Sequence, residues 1–320
     1  MRYLITGATG LVGKEIVRLC HESGIAVNYL TTSRKKIVSK ENYRGFYWNP
    51  DENEIDSDCF EGVTSIINLA GASISKRWTS DYKKIVLSSR INSLRTLHQA
   101  IDEGNYHNIE SFISASAIGI YPNSLVKYYE EDEHQVDKSF LGEVVDQWEL
   151  ETDKFNTFNL SVAKVRIGLV LAKDGGALPQ MAKPVKMFAG AAFGSGEQWQ
   201  SWIHLTDLAR IFAFIADNKL EGIYNGVAPN PVSQNKLIKE IAEVLKKPLF
   251  LPNIPKFFIK TILGEMSYLV LASQRVSSKK IEEDGFTFEH RNISGALRSI
   301  YGYAVAEHSS RSDFREEYIS

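Results

Sequence analysis

The sequence predicts an α/β fold, a doubly wound parallel sheet. Three observations lead there. Arg2-Tyr-Leu-Ile-Thr6 is a short apolar run that meets Gly7 at once. Gly7, Gly10 and Gly13 then recur at intervals of three, and apolar residues from Glu15 to Ser23 follow helical spacing. Further on, apolar runs alternate with stretches of helical period, the pattern of parallel strands joined by crossover helices.

The first element is strand, glycine turn and helix, and each glycine has a mechanical reason. Gly7 permits the sharp turn, Gly10 lets the backbone approach a pyrophosphate, and Gly13 lets helix and strand pack closely. The helix N-terminus brings unpaired N–H groups and a favourable dipole to the phosphates. A glycine-rich turn can also be a plain connection, but the flanking strand and helix favour a Rossmann dinucleotide site. Gly7, Thr9, Gly10, Leu11, Val12 and Gly13 are predicted to line the pyrophosphate.

The second strand, Ala26 to Thr32, ends at Ser33-Arg34-Lys35-Lys36. An acid there would bond the ribose hydroxyls of NAD, whereas Ser33 and Arg34 offer a hydroxyl and a guanidinium suited to a 2′-phosphate, which favours NADP. The competing reading is a solvated basic loop. Thr64 to Ala70 reads as another strand, and Leu69, Ala70, Gly71 and Ala72 are predicted to lie along the ribose linkage. A helix over Tyr82–Glu103, a strand over Ile109–Ser116, a helix over Ser139–Phe155 and a strand over Leu160–Leu171 follow. The unbroken apolar end of that last strand suggests burial on both faces. Ala115 and Ser116, with Ile167, Gly168 and Leu169, sit at strand ends that should approach the nicotinamide.

Composition removes several other classes. Of 320 residues, 43% are hydrophobic and 24% charged, and 37 basic against 39 acidic residues leave a net charge of -2, which gives no bulk drive toward nucleic acid or anionic lipid. Two cysteines, Cys20 and Cys59, are too few for a disulfide framework or a thiolate metal site, so a reducing cytoplasm is expected. The apolar start is too short for a signal peptide, and no run approaches the roughly 20 residues of a membrane span. Zinc-hydrolase, Cys-x-x-Cys, Gly-x-Ser-x-Gly and phosphate-loop motifs are all missing, and no metal is expected. Glu130-Glu-Asp-Glu133 reads as a solvated acidic loop.

Thr6 to Gly13, Asn68-Leu-Ala-Gly-Ala72 and Ser114-Ala-Ser-Ala117 with Tyr121 together resemble the extended short-chain dehydrogenase/reductases, the NAD(P)-dependent epimerases and dehydratases. Ile74-Ser-Lys-Arg-Trp78, Ser89-Arg90, Arg166 to Leu171, Gly175-Gly-Ala-Leu178, Gly194 to Gln198 and Ser201-Trp-Ile-His204 with Asp207 look like one atypical branch carrying a C-terminal domain of unknown function. Leu263-Gly-Glu-Met266, Gln274-Arg-Val276 and Gly285-Phe-Thr-Phe288 are similar to that domain, so the resemblance reaches from residue 1 to about 302. It implies a cofactor domain over residues 1–171, completed by 202–227. It also implies a substrate-side lobe from 172–201 and 228–302; residues 303–320 lie beyond it, are polar and lack periodicity, and a mobile or partner-docked tail is expected there. Helices are expected at Ser233–Lys246, Phe257–Ala272 and Ile293–Ile300; the second could pack on the core or on another subunit, as in a homodimer.

Usual members of this superfamily carry a Tyr-x-x-x-Lys pair, the lysine lowering the tyrosine pKa for proton exchange during hydride transfer. None of the 14 tyrosines here has a lysine four positions later. The matching helix places Leu141 and Val145 where the pair would stand. Ser116 keeps the position of the family's catalytic serine. The resemblance therefore implies an NADP-dependent oxidoreductase or epimerase-like enzyme acting on an unidentified small molecule. Ser116 and Tyr121 are its expected catalytic residues, with Glu143, Lys76, Arg77 and His204 as other proton-donor candidates. Tyr121 could instead be a packing aromatic, and His204 a structural residue before a helix capped by Thr206 or Asp207. Glu143 and Glu149 read as solvated or capping carboxylates. Arg77 and Arg90 read equally as anion anchors or surface ion-pair partners. The alternative function is a cofactor-binding sensor or scaffold with little turnover.

Overall fold

The computed structural model describes residues 1–104 and 106–302, so the expectation for 303–320 lies outside the described residues. The chain winds through β1 (Arg2–Thr6), α1 (Leu11–Glu22), β2 (Ala26–Thr31), β3 (Ser39–Lys40), β4 (Tyr43–Asn49), β5 (Glu54–Ile55) and β6 (Ser65–Asn68). Next come α2 (Ser80–Gly104), β7 (Ser111–Ala117), β8 (Tyr128–Tyr129), α3 (Phe140–Asp153), β9 (Ser161–Ile167) and β10 (Leu169–Leu171). The remainder is α4 (Leu178–Lys186), β11 (Trp199–Gln200), β12 (Trp202–His204), α5 (Leu205–Asn218), β13 (Gly222–Gly226), β14 (Val232–Ser233) and α6 (Gln234–Val244). It ends with α7 (Lys256–Leu263), α8 (Tyr268–Leu271), β15 (Arg275–Val276), α9 (Lys279–Glu283) and α10 (Ile293–Tyr301).

The main sheet runs β13-β9-β7-β6-β1-β2-β4-β3, with β5 beside β4. Every neighbouring pair from β13 to β4 is parallel, and only β3 and β5 run antiparallel, both against β4. From β1 the chain winds outward through β2 to β4, then returns to the other side at β6. The carboxyl ends of β1 and β6, paired at Thr6 and Asn68, therefore flank the crevice where the winding reverses. α1 packs with α5 and α2 with α3, covering the sheet. Gly13, Ile16 and Cys20 form the buried stripe of α1 at helical spacing. Each Leu, Ile or Phe so buried contributes about 1.5–3 kcal/mol. A second core gathers Leu178, Val185, Trp202, Leu237, Ile241 and Leu297 from α4, β12, α6 and α10.

Three elements depart from the sequence expectation. The strand Leu160–Leu171 is two strands: β9 stays in the main sheet, and β10 leaves it to pair with β12. The break is at Gly168, where a Cβ would stand 2.3 Å from the Ser201 carbonyl oxygen, so only glycine lets the two chains approach. Phe257–Ala272 is not one helix, because the chain turns at Gly264 with φ +57° between α7 and α8. Among α7 residues only Ile259 is buried, and Phe257 and Ile262 project outward. β4 was not apparent as a strand, since Arg44 and Gly45 interrupt its aromatic run and it lies half-buried toward one side of the sheet.

Candidate functional site

The crevice is built first by the glycine turn. Gly7 has φ +68°, and a Cβ there would lie 3.0 Å from the Leu69 carbonyl oxygen. A Cβ on Gly13 would fall 2.3 Å from the Gly7 oxygen, so this helix–strand contact requires glycine. Gly10 caps α1 without any side-chain hydrogen bond, which leaves the first-turn N–H groups from Leu11 onward facing the crevice. No acidic residue occupies that turn. Such a donor set fits a pyrophosphate.

A buried polar ladder holds the neighbouring loop. The Thr6 hydroxyl donates to Asn68 Oδ1 at 2.7 Å and accepts from the Leu69 and Ala70 N–H groups at 2.9 and 3.0 Å. Asn68 Nδ2 donates to Ser114 Oγ at 3.3 Å. Three polar side chains inside apolar strands were the available signal, because buried polar groups need partners. Gly71-Ala72 rests on Arg90, whose Nη1 donates to the Ala72 and Val86 carbonyls at 3.2 and 2.8 Å. Burial pulls the Arg90 pKa down to about 10, and its guanidinium lies over the Trp148 ring at 4.9 Å. Among the described residues it has no carboxylate partner, so it is no surface ion pair. Arg77, like Lys76, is exposed. Gly175 and Gly176 close the crevice from the other side; a Cβ on Gly175 would meet Leu11 Cδ1 at 2.9 Å.

At the end of β2, Ser33 is half-buried, and its N–H donates to Thr31 Oγ1 at 3.2 Å. The Arg34 guanidinium lies over the Tyr47 ring at 3.8 Å, with Glu54 also 3.8 Å away. Both charges are exposed, so the pair is weak and the guanidinium can take another anion.

Ser116, Tyr121 and Glu149 correct the sequence expectations. Ser116 is buried and donates to Glu149 Oε1 at 2.5 Å. Glu149 is no solvated carboxylate: Arg166 grips it through Nε and Nη2, each at 2.8 Å. The Arg166 side chain is only 4% exposed. Burial pulls its pKa down, but the Glu149 carboxylate more than offsets this and holds it above its ordinary value. Tyr121 is fully buried; its hydroxyl donates to Asn225 Oδ1 at 2.7 Å and accepts from Arg166 Nη1 at 2.9 Å. Burial pushes its pKa up to about 12. A phenol so enclosed and engaged is held in the protein interior, its oxygen already used by Asn225 and Arg166. Ala115 is buried as well, and the wall of the cleft comes instead from Ala117, Ile118 and Gly119.

His204 is itself the N-cap of α5, its Nδ1 accepting from the Thr206 N–H at 3.2 Å. Asp207 is not the cap, since its carboxylate accepts from the Glu289 and His290 N–H groups, each at 2.9 Å. The His204 ring stacks on His290 at 3.7 Å, and burial with that neighbour lowers its pKa to about 4, which leaves no imidazolium proton to donate near neutrality. The atoms of Asp207, Glu289 and His290 lie close enough for a cation, but Arg210 bridges the two carboxylates at 3.0 and 3.4 Å. Glu143 is exposed.

Ile167, Gly168 and Leu169 do meet the end of β7. With Ala117, Ile118, Gly119, Leu141 and Val145 they line a cavity of about 190 Å³, closed by Ile74, Trp199, Gln200, Ser201, Leu269 and Ala272 among others. Leu141 and Val145, which the sequence sets at the positions of a Tyr and Lys pair, are part of an apolar wall. Among the described residues, no Lys, Arg, His, Asp or Glu lines this cavity.

A family model described as NAD dependent epimerase/dehydratase family matches residues 3–226, and one described as a domain of unknown function matches residues 254–300. An epimerase family protein of Staphylococcus epidermidis is 38% identical over 304 residues, covering 93% of this chain and 98% of its own. The Arabidopsis thaliana protein described as epimerase family protein SDR39U1 homolog, chloroplastic, is 37% identical over 308 residues, covering 94% and 86%. The crystal structure of human epimerase family protein SDR39U1 with NADPH superposes with a TM-score of 0.83 at 25% identity, covering 94% of this chain and 99% of that one. The chain belongs to the NAD dependent epimerase/dehydratase family, in the form that carries the additional C-terminal domain.

Proposed function

We propose that this protein binds NADP across the crevice and acts as an oxidoreductase or epimerase-like enzyme on a small molecule, without a Tyr-x-x-x-Lys proton relay. The observation that carries the cofactor assignment is the end of β2, where Arg34 stands exposed over Tyr47 and the strand itself offers no acid to a ribose. The human relative crystallised with NADPH supports the same choice. Gly7, Thr9, Gly10, Leu11, Val12 and Gly13 would hold the pyrophosphate, Ser33 and Arg34 the 2′-phosphate, and Leu69 to Ala72 the ribose linkage. Ala117 to Gly119 and Ile167 to Leu169 would bear on the nicotinamide. When bound, that ring supplies or accepts a hydride.

The chain's own contribution is to orient the ring and exclude water from the cleft. Arg90 supports the 71–72 turn, and the Thr6–Asn68–Ser114 ladder fixes the loop before it. Ser116, tied to Glu149, positions β7 against α3 and exchanges no proton with substrate. Loss of a relay costs general acid–base assistance of about 10²–10⁴-fold. The apolar character of Leu141 and Val145 is the observation that keeps a second reading, a cofactor-responsive sensor with little turnover.

Titration of the full chain with NADPH and NADH, followed by nicotinamide fluorescence, tests the assignment. NADPH should bind more tightly, and Arg34→Ala should weaken it by about 10–100-fold, the worth of a charge-assisted hydrogen bond, while sparing NADH. Equal affinities in the parent protein, or an Arg34→Ala variant indistinguishable from it, would defeat the NADP assignment.

A further inference from the structure

The cavity over the ends of β7 and β9 has an unusual polar inventory. Its walls are Ile74, Ile118, Leu141, Val145, Leu169 and Leu269 with the Trp199 ring. Of its polar side chains, Ser201 is spent on the Gln274 carbonyl at 2.8 Å and on the Val276 N–H at 2.9 Å. Gln274 donates to the Tyr121 carbonyl at 2.6 Å, and Tyr268 donates to Asp137 Oδ2 at 2.6 Å. Gln200 differs. Its residue is only 8% exposed, it lines the cavity, and its side-chain amide has no hydrogen-bond partner among the described residues. An amide held in place with no protein partner is open to a ligand that can hydrogen-bond it.

From this combination we propose that the cleft takes a small, neutral, mainly hydrocarbon carbonyl compound or its alcohol, with the ligand oxygen held by the Gln200 amide. The inference rests on the reading of this cleft as the substrate side of the nicotinamide site. A nucleoside diphosphate sugar is the wrong chemistry for it. Among the described residues no cation lines the cavity to meet a diphosphate, and the hydroxyls of a hexose would leave water for aliphatic walls with only the Gln200 amide and Gln274 Oε1 to serve them. The cavity, about 190 Å³, is bounded on one side by the Ala117–Gly119 and Ile167–Leu169 stretches assigned to the nicotinamide, so a substrate lying against that ring must be compact; about 150 Å³ of apolar space already admits benzene.

The test uses the full chain, with and without saturating NADPH, and three probes: acetophenone, ethylbenzene and UDP-glucose, titrated calorimetrically. Acetophenone should bind saturably and about tenfold more tightly than ethylbenzene, the worth of one neutral hydrogen bond. UDP-glucose should not compete with it. Gln200→Leu should erase the preference for the ketone and leave ethylbenzene bound, while Leu269→Trp, which fills the outer wall, should weaken both probes at least tenfold. Thermal melts establish that each variant is folded. Saturable UDP-glucose binding that displaces acetophenone, acetophenone binding indifferent to both variants, or acetophenone that expels NADPH would each overturn the proposal. NADPH affinity is read separately, so failure of the cofactor assignment is visible as such. The cofactor-free titration then still decides the chemistry of the cavity.

Discussion

Replacing Glu149 by Gln isolates the buried network that occupies the position of the family's catalytic serine. The substitution keeps the shape of the side chain and removes its charge, leaving the Arg166 guanidinium, 4% exposed, without its counter-ion. Both parallel contacts at 2.8 Å lose their ionic character, and burial leaves little water to replace them. Breaking such a pair from one side costs about 3–5 kcal/mol. Ser116→Ala removes only one donor from the carboxylate and should cost about 1.5–3 kcal/mol. The double replacement Glu149→Leu with Arg166→Met removes both charges together and should recover at least about 2 kcal/mol of the single-site loss, because a matched apolar pair avoids the desolvation cost. Urea unfolding followed by tryptophan fluorescence measures all three, with Trp148 beside the network on α3 as a reporter. NADPH affinity of Ser116→Ala should match the parent protein. A Glu149→Gln cost below about 1 kcal/mol, or a double variant less stable than the single one, would refute the structural role assigned to this network.

Two further outcomes follow from the same geometry. His204 has its folded pKa lowered to about 4 from 6.5, chiefly by burial and then by His290, so folding favours its neutral form. The unfolded chain binds the extra proton first, and the stability this contributes, about 3 kcal/mol at most, is present above pH 6.5 and lost as pH falls toward 4. Urea midpoints between pH 4.5 and 7.5 should decline on the acid side, and His204→Gln should flatten that decline; an unchanged slope would contradict it. Gly13→Ala would put a methyl 2.3 Å from the Gly7 carbonyl oxygen, so α1 must separate from β1. NADPH binding should fall by more than tenfold, as nicotinamide fluorescence would register, and retention of full affinity would remove this turn from the cofactor site.

Much of the fold was legible because strands, turns and helices leave local marks. Gly7, Gly10 and Gly13 stand at intervals imposed by a backbone turn, and the buried stripe of α1 repeats at the helical period. β4 escaped notice because a half-buried strand carries no continuous apolar run. The change of course at Gly168 escaped because its cause, the Ser201 carbonyl, is far along the chain.

The candidate site divides in the same way. The sequence alone determined that a strand–glycine–helix unit opens the chain, that no acid follows Thr31 directly, and that no tyrosine has a lysine four positions on. Only the tertiary structure decided what Ser116 and Tyr121 do. Ser116 could have faced a substrate, but its hydroxyl goes to Glu149 across 33 positions, and Tyr121 meets Asn225 across 104. Likewise Gly175 reaches Leu11, and Gln200 remains unpaired in a cavity walled by α3, β9 and α8. Spacing encodes the backbone a segment adopts by itself, whereas the partner of a side chain is set when distant segments pack and must satisfy one another's polar groups.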